Sequence, residues 1–365
     1  MKTVHPDYKN CGLNVISSIM RYYGACCGQE THPLIDRLLQ KNYQNIVFML
    51  FDGMGMDVLE RYLPEEGFLR RNNSQVMTAL YPSTTTNVTS SYETGLAPVE
   101  HAWLGWTLYF DEIEKPVDVF INKSNGEEAA EYDVAWRYIP KVSVFEKLEQ
   151  TGNVKASSVS AFSEDYCVES LEELFRATEE LCKDQERHYI YTYWNEPDHT
   201  MHGHGCHCNE IGSILREIEE RTEQLAKSVG DDTLIILTAD HGLIDAVHHY
   251  LDDHPRIVEM LRHVPTIEAR AASFHVKEEY YQSFPVVFRE EYGENFILLK
   301  RDEFIRQYLG NGVEHTKIRS FVGDYVALAT GNDCIDKWRS DFELKGVHAG
   351  LTEQEMLVPL IIAKK

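Results

Sequence analysis

Residues 45–52 read NIVFMLFD and run straight into Gly53-Met54-Gly55. Uncharged, mostly apolar residues that end on one carboxylate and a glycine-broken turn leave few folds open. So short a continuous apolar run is the pattern of a strand covered on both faces, as in a parallel sheet between helix layers. Asp52 then falls at the carboxyl end of that strand, the edge at which open α/β sheets bind ligands. A carboxylate there could equally cap the helix expected over 56–62. The rest of the chain bears on that choice.

Strand and helix patterns alternate along much of the sequence. Helices are expected at 7–24, 33–39, 56–62, 87–93, 168–183 and 209–229, and strands at 75–80, 155–159, 188–194 and 233–239. Residues 321–330 and 356–363 read as late strands. The aromatic stretch 103–138 reads as a hairpin with loops, and 250–345 as a less regular decoration. Alternation of this kind predicts an α/β fold, a three-layer α/β/α sandwich around a mostly parallel central sheet. No internal repeat, low-complexity tract or linker-like run divides the chain, so all 365 residues are expected to form one domain carrying the 250–345 insertion.

A formal net charge of −24 argues against nucleic acid polymers and anionic membranes as partners, because the long-range field repels both. A small polyanionic substrate requires local cations to outweigh that field. The opening MKTVHPDYKN lacks a signal-peptide core, and no run approaches a membrane span. Eight cysteines scattered over the chain are too sparse for a disulfide scaffold, which predicts reduced thiols and a cytoplasmic protein.

Four strand ends or loops carry metal-type ligands: Asp52, Asp198 with His202, Asp240 with His241, and His348 in GVHAG. Singly, each has an ordinary explanation as a turn residue, a solvated helix face or a loop histidine. Jointly, three carboxylates and three imidazoles form a nitrogen and oxygen donor set suited to Zn²⁺, with Mn²⁺ or Fe²⁺ compatible. Two such ions roughly 4 Å apart can clamp the attacking and leaving oxygens of an in-line displacement. The segment YPSTTTN (81–87) adds hydroxyls at the start of a predicted helix, where backbone N–H groups can hold an anion. A helix N-cap is the other use of such residues, and the two are compatible.

In order and spacing these motifs resemble the alkaline phosphatase superfamily, and within it the nucleotide pyrophosphatase/phosphodiesterase family. The resemblance rests on F-D-G, P-S-T-T, T-G-L with a following Pro and His, E-P-D-x-x-x-H, D-H-G and the late H-x-G. It spans about 45–105, 188–245 and 345–362. It implies that Thr85 is the nucleophile, with Thr84 the alternative if the register slips by one. It implies one metal surrounded by Asp52, Thr85, Asp240 and His241, and a second held by Asp198, His202 and His348. The backbone N–H of Thr86 would donate to a phosphate oxygen.

The sequence departs from the family where HAWLGWTLYF places Trp106 at about the position of a phosphate-supporting Asn. An indole donates one hydrogen bond and presents a large apolar face, so Trp106 is expected to line the substrate site differently. The expected function is hydrolysis of nucleotide-type phosphodiesters or pyrophosphates through a phosphothreonine. A phosphomonoesterase or phosphonate hydrolase on the same centre is the enzymatic alternative, and a metal-stabilised phospholigand-binding scaffold the non-catalytic one. The run His204, Cys206, His207, Cys208 matches no standard metal-site spacing and is expected to be a loop.

Overall fold

The computed structural model describes residues 1–339 and 343–364. Asn45–Phe51 forms a strand buried along its whole length, at the middle of a seven-stranded sheet. Across the sheet the order is Asn73–Thr78, Leu357–Ala363, Thr233–Thr238, Asn45–Phe51, His188–Trp194, Lys155–Ser160 and Tyr166–Cys167. Neighbours from Thr233–Thr238 to Tyr166–Cys167 are parallel, while Leu357–Ala363 runs antiparallel to both of its neighbours. This is the mostly parallel, helix-covered sheet that the apolar run implied.

Both faces of the central strand are used. Phe48 meets Tyr92 of the Thr85–Thr94 helix edge-on, at 5.5 Å between ring centroids. Phe51, three residues on and therefore on the opposite face, stacks with Phe175 of the Leu171–Leu181 helix at 6.3 Å. The helices Gly12–Tyr22, Thr85–Thr94 and Val144–Glu149 pack together, as do Met56–Tyr62, Leu171–Leu181 and Glu210–Ser228.

The segment expected to be irregular is ordered. Strands Thr266–Glu268, Ala271–Phe274, Phe296–Lys300 and Tyr325–Ala329 join the 107–128 hairpins in an eight-stranded antiparallel sheet. It has its own apolar cluster, centred on Phe274, Phe284, Phe288 and Tyr325. Thr266–Glu268, Ala271–Phe274 and Phe296–Lys300 escaped the sequence reading because they are short and are completed only by non-local pairing, whereas Tyr325–Ala329 lies within the strand read over 321–330. Likewise 321–330 divides into a helical turn, Ile318–Phe321, and the strand Tyr325–Ala329. The second strand is Asn73–Thr78 rather than 75–80, and the first helix begins only at Gly12.

Candidate metal centre and its hydroxyl

Three adjacent parallel strands deliver ligands at their carboxyl ends. Asp52 follows Asn45–Phe51, Asp198 opens the helix Asp198–His204 just beyond His188–Trp194, and Asp240-His241 follow Thr233–Thr238. Their loops nest because glycine meets glycine: a Cβ on Gly55 would stand 2.7 Å from the Gly242 Cα. Nothing larger lets the Asp52 and Asp240 turns approach so closely.

His348 arrives from far along the chain. The two-residue strand Gly346–Val347 pairs antiparallel with Ile244–Asp245, which sets the His348 ring 3.9 Å from that of His241 and 5.3 Å from that of His202. The loop beyond it is tied to a buried ion pair. Arg270 Nε and Nη2 donate to the two Glu355 oxygens at 2.7 Å each, and Gly350 N donates to Glu355 Oε1 at 2.6 Å. A Cβ on Gly350 would lie 2.5 Å from Arg270 Nη2, which is the physical reason for glycine in this H-x-G segment.

The donors converge in two groups. Asp52, Asp240 and His241 offer atoms within 4.8 Å of one another, and so do Asp198, His202 and His348. His202 Nε2 lies 3.1 Å from Asp198 Oδ2, and its Nδ1 lies 2.7 Å from the Gly346 carbonyl. That carbonyl fixes the tautomer with Nε2 free toward the site. Thr85, the first residue of its helix, has Oγ1 3.2 Å from Asp52 Oδ2 and 3.2 Å from His241 Nε2. Thr84 instead donates to Glu268 Oε1 at 2.7 Å. Of the two candidate threonines, therefore, Thr85 faces the carboxylates. Thr86 follows it in the first turn, where a helix leaves its N–H groups without intrahelical partners.

The electrostatics are those of a crowded anionic site. Burial, then Asp240 and Asp198, push the Asp52 carboxyl well above the usual range. Burial also pushes Asp198 up, but His202, His348 and His241 outweigh it and leave the group low. Burial lowers His202, yet Asp198 overrides that and raises the imidazole to about 9. His348 is held well below its ordinary value by burial and by His241. Asp198 Oδ1, Asp240 Oδ2 and His348 Nδ1 are buried without a hydrogen-bond partner. Orphaned donors and acceptors are costly unless a ligand meets them, and this set of oxygen and nitrogen atoms fits bound divalent cations.

The centre opens into a cavity of about 1030 Å³. Its lining is predominantly apolar and aromatic, with Trp106, Phe120, Phe162 and Trp338 on the walls and Glu268 and Lys337 among its charged groups. Trp106 is exposed on this wall, meets Phe120 edge-on at 6.1 Å, and gives its backbone N–H to Glu268 Oε1 at 2.7 Å.

Residues 46–332 match the family described as Type I phosphodiesterase / nucleotide pyrophosphatase. The chain belongs to this family. As a member of it, within the alkaline phosphatase superfamily, it is a metal-dependent hydrolase acting on phosphate esters. The fold agrees. Murine ectonucleotide pyrophosphatase/phosphodiesterase 5 superposes with a TM-score of 0.66 at 17% identity, over 86% of this chain and 87% of that one. An inactive threonine-to-alanine variant of the murine protein, in complex with AMP, gives 0.64 at 17% identity, over 88% and 87%. The human protein gives 0.64 at 14% identity, over 86% and 87%. No curated protein matches the chain in sequence.

Some residues that face the candidate centre and its cavity were not foreseen. Tyr193 donates its phenol to Asp52 Oδ2; the alternation in HYIYTYW places it on the Tyr191 face, a signal that was available. Glu268 and Lys337 lie in the poorly patterned segment and gave no signal. His204 ends the helix Asp198–His204, and the turn that follows is tied to the helix Met56–Tyr62. Tyr62 donates to the Cys206 carbonyl at 3.2 Å and to that of Cys208 at 3.1 Å, and Arg61 holds His207 at 2.7 Å. No three donors of that loop converge among the described residues.

Proposed function

We propose that the chain is a two-metal phosphohydrolase that cleaves nucleotide-type phosphodiester or pyrophosphate bonds, with Thr85 as nucleophile and a covalent phosphothreonine intermediate. The observation that carries this reading is the Thr85 hydroxyl, held 3.2 Å from both Asp52 Oδ2 and His241 Nε2 at the amino end of a helix, at the floor of the cavity. The murine relative that is described as inactive carries alanine in place of a threonine and binds AMP, which supports both the nucleophile and the substrate class.

Asp52, Thr85, Asp240 and His241 would hold one cation, and Asp198, His202 and His348 the other. Zn²⁺ suits these donors best, with Mn²⁺ or Fe²⁺ compatible. When bound, such ions favour the alkoxide form of a hydroxyl and neutralise phosphate charge. Thr85 Oγ forms the new bond to phosphorus as the ester oxygen departs in line. The Thr86 N–H donates to a phosphoryl oxygen at the helix amino end. Water then cleaves the Thr85 phosphoester, releasing phosphate or a nucleotide and restoring the hydroxyl. Trp106 offers a flat apolar face to the rest of a small phosphate-ester substrate. Eight unpaired cysteines support a cytoplasmic setting.

One feature favours a second reading: Trp106 stands where the family commonly presents Asn, which favours phosphomonoester or phosphonate hydrolysis on the same centre. Turnover of bis-(p-nitrophenyl) phosphate against the monoester, with added Zn²⁺ or Mn²⁺, separates the two. Diester hydrolysis that disappears in Thr85→Ala, while metal and AMP remain bound, is the expected result. A purely monoester profile selects the second reading.

A further inference from the structure

A third convergence of donors lies outside the catalytic set and shares no residue with it. Val247–Tyr250 and Asp333–Asp336 pair as parallel strands, with His248 opposite Cys334. Residues two apart on a strand share a face, so Asp336 joins Cys334 and His248 on one side of this ribbon. The contacts follow from that register. His248 Nδ1 lies 2.5 Å from Asp336 Oδ2, Cys334 Sγ lies 3.2 Å from His248 Nδ1, and Cys334 Sγ lies 3.4 Å from Asp336 Oδ2.

This geometry separates two uses of a Cys, a His and an Asp. In a nucleophilic relay the thiol and the carboxylate engage opposite nitrogens of the imidazole. Here both meet the same nitrogen, Nδ1, and Cys334 is wholly buried, out of reach of a substrate. Three different donor atoms facing a single point is instead the arrangement of a metal site. A cation about 2.1 Å from the nitrogen and oxygen and about 2.3 Å from the sulfur would stand roughly 1 Å above their plane, as in three corners of a tetrahedron. The short His–Asp contact would then relax to about 3.3 Å.

We propose that His248, Cys334 and Asp336 form an additional divalent-cation site, selective for Zn²⁺ because it joins a thiolate to nitrogen and oxygen donors. Its role is to clamp one wall of the catalytic cavity. Ile335, Asp336, Lys337 and Trp338 all line that cavity, and Lys337 Nζ is fixed 2.8 Å from Thr107 Oγ1. A cation bridging the two strands holds this segment in place against the hairpin.

The test exploits the absence of cysteine from the catalytic ligand set. The full-length, reduced chain is loaded with Co²⁺ alone and its near-ultraviolet absorption recorded. Expected is a thiolate-to-Co²⁺ charge-transfer band that survives in a C206S/C208S variant and disappears in Cys334→Ser. His248→Gln and Asp336→Asn should each weaken the Co²⁺ titration of that band by at least roughly ten-fold, and they decide the matter if Cys334→Ser does not fold. Absence of the band from the wild-type chain, or its persistence in Cys334→Ser or unchanged in both other variants, overturns the site. None of these readouts depends on turnover, so the outcome is independent of the proposed reaction.

Discussion

Tyr193 and Thr85 donate to the same oxygen of Asp52, Oδ2. The phenol comes from the neighbouring parallel strand and the hydroxyl from the first turn of the helix that packs over it. Tyr193 thus supplies a fixed donor to the ionised form of a carboxylate that burial, Asp240 and Asp198 push well above the usual range, and it offsets part of that shift. Tyr193→Phe is expected to lower kcat about ten-fold, the loss of about 1.4 kcal/mol from one hydrogen bond to a charged group. Steady-state kinetics in saturating metal check this; an unchanged kcat would show the phenol to be packing alone.

The Arg270–Glu355 pair is fully buried on both sides, and it supports the loop that presents His348. Glu355→Gln leaves a buried guanidinium without its counter-charge. The expected cost is about 3–5 kcal/mol in urea unfolding. Activity at temperatures where the variant remains folded should also fall, because His348 loses its support. A change below about 1 kcal/mol would mean that this pair carries little of the fold.

His101, in the segment after Thr94-Gly95-Leu96, explains what that part of the motif does. Its Nδ1 accepts from the Trp103 N–H at 3.0 Å, so Nε2 carries the proton and donates to Ser91 Oγ at 2.9 Å, tying down the helix that begins at Thr85. Burial, aided by Lys141 and His315, holds this imidazole well below its ordinary 6.5. The unfolded chain therefore takes up a proton below about pH 6.5 that the folded chain refuses. Stability from this group is present above that pH and lost as pH falls toward the folded value. Between pH 6.5 and 5.5, chelated wild-type protein should lose up to about 1 kcal/mol more than His101→Gln. Parallel pH profiles of the two proteins would rule this out.

Trp106 is exposed, so Trp106→Asn should change stability by less than about 0.5 kcal/mol. One added side-chain amide at the phosphate is expected to raise kcat/KM for a diester by roughly five-fold, about 1 kcal/mol. Affinity for AMP should fall if the indole stacks on the base. An unchanged diester to monoester ratio would place the origin of substrate preference elsewhere in the cavity.

Much of this protein was legible from its sequence. The buried strands NIVFMLF, HYIYTYW and TLIILT were readable because their apolar runs are local, and each is followed within a short loop by Asp52, Asp198 or Asp240 at the ligand edge of the sheet. Chemistry confined to short motifs was equally visible: Asp52, Asp198, His202, Asp240, His241, His348 and Thr85 all come together. Motif spacing already favoured Thr85 over Thr84, but the first turn of the helix decides which hydroxyl turns toward Asp52 and which toward Glu268. The assembly of the eight-stranded sheet, the Lys337 and Glu268 walls and the His248–Cys334–Asp336 convergence belong to tertiary structure alone. Their strands are too short to carry a period, and their partners lie tens of residues apart. What joins them is pairing energy that no local window contains.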